Sequence, residues 1–264
     1  MSSSLLYERR DRAAWITFNR PEAMNAFNSA LYASFLAALD TAAADPEVCA
    51  VVLIGEGGRA FSAGADLKEL ADYDERGIDA DAEPGKGMGG TQAFEKLAAF
   101  AKPLVAAIDG HCLAGGLEVS ALCDIRIATE HSSFGLPEAR LSLMPGPGLV
   151  ELGRLIPLGE ALRIQLTGRA MSALRAFDIG FVQALLPDRD ALLIEATQIA
   201  ADIALGAPLA VEAYKKIVKH GRDLTIDDAN RLRDKMWAQI QTTEDRIEGP
   251  RAFVEKRAPE WKRR

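Results

Sequence analysis

VAAIDGHCLAGGLEVSALCDIRIATEHSSFGLPEARLSLMPGPG, residues 105–148, is the stretch on which the fold turns. Leu104 to Asp109 is an apolar run closed by Gly110, the pattern of a strand buried on both faces. The pair Gly115-Gly116 opens a helix through Leu122. That places Glu118 in the first turn, where the helix dipole favours a carboxylate. Asp124 to Thr129 reads as the next strand. Gly135-Leu136-Pro137 leads to Glu138, and Pro145 to Gly148 opens a further helix, with Pro147 suited to its first turn. The stretch thus carries two glutamates beside glycine-rich turns. We read both carboxylates as facing one cavity, where backbone N–H groups polarise a carbonyl. Plainer readings exist for each. Acidic residues are common in first turns, and Arg140 is near enough in sequence to pair with Glu138.

Outward from this stretch, strand and helix patterns alternate. Ala13 to Phe18 and Val48 to Gly55 are strand-like. Between them Ser29 is a plausible N-cap for a helix to about Ala44, with Leu31, Phe35, Leu36 and Leu39 at helical spacing. Residues 56–65, EGGRAFSAGA, read as a loop. Its small residues, Ala63 and Ala65 among them, let the backbone approach a ligand closely, or make only a tight surface turn. A short helix from Asp66 would aim its positive end at an anionic or polarised oxygen. Residues 73–91 are the least patterned and read as a pocket-lining loop, a lid or an insert. A short helix, 92–101, follows. Beyond the stretch, helices are expected over 159–167, 172–179, 190–204, 208–220 and 225–243, with a strand over 181–186. On alternation alone the fold class is α/β, and a doubly wound sheet is one way to satisfy it.

Bulk properties narrow the function classes. The 264 residues can bury a sizeable core. A net charge of −7 lacks the basic footprint of a nucleic-acid binder. Cys49, Cys112 and Cys123 sit in apolar segments without ligand spacing, which points to reduced, buried thiols and a cytoplasmic location. The chain starts without the apolar run of a signal peptide. No apolar run approaches membrane-spanning length, so no membrane association is expected. His111, His131 and His220 lack ligand spacing, so no metal site is expected. The glycines at 57, 58 and 64 do not form a GxGxxG fingerprint, so no nicotinamide cofactor is implied.

In this order the motifs resemble the enoyl-CoA hydratase/isomerase, or crotonase, superfamily over nearly the whole chain. The matching stretches are TFNRPEAMNAFN (17–28), AFSAGADLKEL (60–70), GHCLAGGLE with CDIRIA (110–128), FGLPEARLSLMPGPG (134–148) and EGPRAFVEKRAP (248–259). The resemblance implies a spiral of ββα repeats over residues 1–200 and a C-terminal helical trimerisation region over 201–264. It implies homotrimers or hexamers made as dimers of trimers. No separate cofactor is implied, because coenzyme A arrives as part of the acyl-CoA thioester substrate.

The resemblance also assigns roles. Ala65 and Gly115 match the positions whose N–H groups form the oxyanion hole. Asp66, Leu67 and Lys68 continue the segment that cradles coenzyme A, and Glu22 and Ala23 match the adenine-side wall. Phe253 and Lys256 match positions that reach coenzyme A from a neighbouring subunit. Gly146 matches a position whose N–H helps fix the water. Glu118 would activate that water and Glu138 would deliver a proton. Two carboxyl groups can make both proton moves of hydration, whereas one is more typical of isomerases. Their like charges should raise at least one pKa. The expected activity is addition of water across the 2,3 double bond of a 2-enoyl-CoA. The alternatives are an isomerase, a specialised dehydratase such as one acting on carnitinyl-CoA, or an idle acyl-CoA- or RNA-binding relative. The segment LVELGRLIP (149–157) departs from the Gly-rich, Gln-Arg-containing stretch of many fatty-acid hydratases. That difference bears on the acyl chain.

Overall fold

Strands buried on both faces set the architecture. The computed structural model describes residues 3–80 and 87–264. Its larger sheet contains β1 (Leu5–Arg10), β2 (Ala13–Phe18), β3 (Ala50–Gly55), β5 (Leu104–Ile108), β7 (Ile125–Thr129) and β10 (Ala184–Leu186), in that spatial order. β1 runs antiparallel to β2, and every other pair is parallel. Ala14, Ile16, Val51, Leu53, Leu104, Ala106 and Ala128 point into the main core. Their neighbours Ala13, Trp15, Ala50, Val52, Val105, Ala107 and Ile127 point the other way, against Leu192, Ala196 and Ala200 of α8 (Arg189–Ala204). Because successive side chains face opposite ways, a strand covered on both sides must be apolar throughout. That is why β3 and β5 read as unbroken apolar runs.

The smaller sheet is ordered β4 (Ala60–Ser62), β6 (His111–Leu113), β8 (Ser133–Gly135), β9 (Met171–Ser172). β4, β6 and β8 are parallel, and β9 closes the edge antiparallel. After the β1–β2 hairpin and α1, three successive turns of the chain each give one long strand to the first sheet, one short strand to the second, and then a helical segment. The helices are α2 (Leu67–Glu75) after β4 and α4 (Gly115–Leu122) after β6, with a 3-10 turn (Glu138–Leu141) after β8. This is the spiral of ββα repeats that the resemblance implied. The doubly wound single sheet is ruled out, because the short strands β4, β6 and β8 pair in a separate sheet.

Several expected boundaries move. The helix α1 (Ser29–Ala44) is capped by Asn28, whose Oδ1 accepts Leu31 N–H at 2.9 Å, so the capping residue stands one position before Ser29. Residues 56–65 are not all loop, because β4 lies within them. Of 73–91, α2 takes the first residues, α3 (Gly90–Ala98) takes the last, and residues 81–86 lie outside the described residues. The strand expected over 181–186 is confined to β10. α5 (Gly148–Leu155), α6 (Leu158–Thr167) and α7 (Ala173–Asp178) precede it.

The expected division at 200/201 falls inside α8. Beyond it come α9 (Pro208–Gly221), α10 (Ile226–Gln241) and α11 (Glu244–Glu255). α9 is tied to its own chain: Lys215 and Lys219 pair with Asp124 at 2.7 and 3.2 Å. The C-terminal residues fold back too. Trp261 Nε1 donates to Leu205 O at 2.9 Å, and buried Asp245 accepts the N–H groups of Lys262 and Arg263. No single helix among the described residues is long and apolar enough to cross a membrane.

Candidate active site

The site grows from the ends of β4, β6 and β8, neighbours in the smaller sheet. After β4, Ser62 Oγ donates to Asn25 O at 2.9 Å and accepts Gly64 N–H at 3.1 Å. Asn25 is itself fixed, its amide donating to Glu56 O and Ala60 O. The backbone then bridges Phe27: Phe27 N–H donates to Gly64 O at 2.7 Å, and Asp66 N–H donates to Phe27 O at 2.9 Å. In that parallel bridge the groups of residues 64 and 66 face Phe27, so the N–H of Ala65 points away from it. No acceptor among the described residues takes it.

After β6, Ala114 holds φ 51 and ψ −129, a backbone region that favours glycine. Gly115 follows as the first residue of α4, and the first N–H groups of a helix have no partner within it. The two turns lie against each other. A Cβ on Gly64 would overlap Ala114 Cβ and stand 2.8 Å from Gly115 N, so glycine is required there. A Cβ on Gly116 would meet Ser62 O at 2.5 Å. Two N–H donors with no acceptor among the described residues, on Ala65 and Gly115, therefore leave adjacent turns. Both residues line one cavity of about 510 Å3.

Glu118 and Glu138 line the same cavity, and both are buried. Glu118 lies one turn into α4. Its Oε2 accepts Gly148 N–H at 3.1 Å, and Gly146 N–H bonds the same carboxylate. Burial pushes its pKa up to about 7; the Gly146 bond resists this, the Glu138 charge adds to it, and the Gly148 bond resists it again. Glu138 opens the 3-10 turn behind Pro137. Burial raises its pKa as well, against a bond from its own backbone, and its buried Oε2 has no partner among the described residues. Desolvation therefore leads at both acids, with like-charge repulsion an addition at Glu118. The pairing of Arg140 with Glu138 does not occur: Arg140 turns away and donates to Thr167 O at 2.9 Å.

The other expected residues divide in two. Ala63, Leu67 and Gly146 line the cavity. Glu22, Ala23, Asp66, Lys68, Phe253 and Lys256 are not among its lining residues within one chain. Asp66 caps α2 instead, accepting Lys68 N–H at 3.2 Å, and pairs with Arg20 at 2.9 Å. Burial works to raise the Asp66 pKa, but the bonds from Arg20 and Lys68 outweigh it and hold the carboxyl below its usual value. Glu22 and Ala23 form a 3-10 turn beside that pair. Phe253 lies on α11 with 85% of its surface exposed, and Lys256 follows at the helix end with φ 53.

The sequence reading missed Tyr32, Met88 and Phe94, which line the cavity, and the cradle role of Gly148. A Cβ on Gly148 would meet Cα and Cβ of Glu118 at 2.5 Å. The PGPG run signalled a helix start but not what that start would hold. Behind α4, buried Arg126 donates to Ser120 O and Cys123 O and so caps the C-terminal end of the helix that carries Gly115 and Glu118.

The sequence profile of the enoyl-CoA hydratase/isomerase family matches residues 8–264. The chain belongs to that family. Among its relatives, the 2,3-dehydroadipyl-CoA hydratase of Escherichia coli is 36% identical over 99% of this chain and 100% of its own length. The short-chain-enoyl-CoA hydratase of Clostridium acetobutylicum is 34% identical over 97% of this chain and 96% of its own. The crystal structure of enoyl-CoA hydratase EchA1 from Mycobacterium marinum covers all of both chains at 38% identity with a TM-score of 0.89. The activity is that of an enoyl-CoA hydratase.

Proposed function

We propose that this cavity hydrates the 2,3 double bond of a 2-enoyl-CoA through the two glutamates and the two main-chain donors. The observation that carries the reading is that Glu118 and Glu138 line the same cavity as Ala65 and Gly115. The thioester oxygen sits between the N–H groups of Ala65 and Gly115, which stabilise it as it gains enolate charge. A pre-aimed donor of this kind is worth roughly 10²–10³ in rate. Water attacks C3 as Glu118 takes its proton. The enolate carbon C2 takes a proton from Glu138 acting as the general acid. Transfer of a proton from Glu118 to Glu138 then resets the pair. Coenzyme A enters as part of the substrate, and the reaction as written needs no other cofactor. Leu67, Leu70, Met88, Phe94, Leu143 and Met144 give the cavity an apolar wall suited to a hydrocarbon acyl group.

Loss of the conjugated-thioester absorbance of crotonyl-CoA tests the chemistry. The native chain should turn it over, and Glu138→Gln should lower kcat by roughly 10²–10⁴. Undiminished turnover in that variant removes Glu138 from the mechanism.

Trimers, alone or paired as hexamers, fit the exposed apolar side chains of α6, α7 and α11, such as Leu166, Leu174 and Val254. In a trimer, Phe253 and Lys256 would serve a neighbour's coenzyme A; light scattering that returns a monomer mass sinks that assignment. The three buried free cysteines fit a reducing cytoplasm.

A further inference from the structure

Phe94 touches the site at two places that the proposed mechanism leaves unexplained. A Cβ on Gly115 would meet Phe94 Cζ at 3.4 Å. A Cβ on Gly146 would meet Phe94 Cδ2 and Cε2 at 3.2 and 3.6 Å. One ring edge therefore runs from the second amide donor to the loop whose N–H bonds Glu118. The ring cannot easily back away. Tyr32 packs against it edge-on, with centroids 6.0 Å apart, and Tyr32 is itself stacked on buried Phe27 at 4.9 Å. Gly90 closes the other side of Tyr32, where a Cβ would approach Cζ to 3.1 Å. Phe27 packs in turn against Phe18 and Phe35. The wall is a chain of aromatic rings anchored in the core.

The hydratase reading places C1 at the amide donors and C2–C3 beside the two acids, and this inference rests on that placement. C1 to C3 then lie along the Phe94 edge. We propose that Phe94 is a specificity-determining residue that excludes substituents on C2, so that the site takes acyl groups unbranched at that carbon. A methyl group on C2 needs space that the ring edge fills, and the rings behind it leave no direction for retreat. Close-packed interiors resist even one added carbon.

The test is binding of saturated acyl-CoA thioesters, which needs no turnover. Calorimetry would compare butyryl-CoA with 2-methylbutyryl-CoA on the native protein, Phe94→Leu and Phe94→Ala. The native protein should prefer the unbranched thioester by roughly 10-fold or more, the usual scale for one methyl group in a tight apolar pocket. Both variants should shrink that ratio several-fold. The ratio is internal to each protein, so a general loss of stability cancels. A native protein without preference overturns the proposal, as does a ratio unchanged in both variants. Retained preference without hydration of crotonyl-CoA sinks the hydratase reading alone, and failure to bind either thioester sinks both.

Discussion

Gly148 and Glu118 meet at a point where Gly148 has no room for a side chain. The N–H of Gly148 holds Glu118 Oε2 at 3.1 Å, and its α-carbon stands so near that a Cβ would lie 2.5 Å from Glu118 Cα. Gly148→Ala must push α5 from α4 or swing the carboxylate out of the cavity. Overpacking of this kind costs about 1–3 kcal/mol. The expected outcome is a melting temperature lower by several degrees and a kcat reduced far more than coenzyme A binding. A variant with native kcat would show that Glu118 does not need this cradle.

Glu118 should make the protein less stable as pH rises. Its folded pKa is about 7 against an ordinary 4.5. At pH 4 both folded and unfolded chains hold the proton, so there is no cost. Between 4.5 and 7 the unfolded chain releases its proton first, which favours unfolding, and above 7 the cost is complete. At about 1.4 kcal/mol per unit the penalty comes to roughly 3–4 kcal/mol. Glu118→Gln should therefore melt higher than the native protein at pH 8 and level with it at pH 4, as followed by circular dichroism. A difference independent of pH would mean that the buried charge is not the cause. The same ionisation should appear in catalysis, with hydration falling as pH drops through about 7.

Ala114 stores backbone strain beside the second amide donor. Its φ of 51 and ψ of −129 cost on the order of 1–3 kcal/mol for a residue with a side chain. Ala114→Gly relieves that strain but frees the unfolded chain, a loss of roughly 0.5–1 kcal/mol. We expect an unchanged or raised melting temperature together with a lower kcat, because the turn that aims Gly115 N–H becomes looser. A marked fall in melting temperature with unaltered kcat would refute this account.

Much of the arrangement can be read locally. The Gly115-Gly116 pair starts α4, and one helical turn carries the chain to Glu118, so sequence alone puts a carboxylate near that start. Apolar runs such as Val51–Ile54 announce strands covered on both faces. What stays hidden depends on distant packing. Phe94 and Tyr32 look like ordinary core residues of two helices; only the contact of α1 with α3 brings their rings together at the glycines. Arg140 looked like a partner for Glu138 because it lies two residues away. A 3-10 turn sends it outward to Thr167 instead. The pKa of Glu118 depends on α5 closing over it, which no local pattern announces. β4 is too short for its alternation to separate it from loop.

β4 and β6 are hydrogen-bonded neighbours, and Ala65 and Gly115 follow them by three and two residues. Both amides therefore leave neighbouring strands of a parallel sheet, where strands lie about 4.8 Å apart. That gauge is written in main chain, not in side chains. The proposed clamp on the thioester can stay constant while residues around the proposed acyl site are exchanged, which makes this scaffold easy to retool for new cargoes.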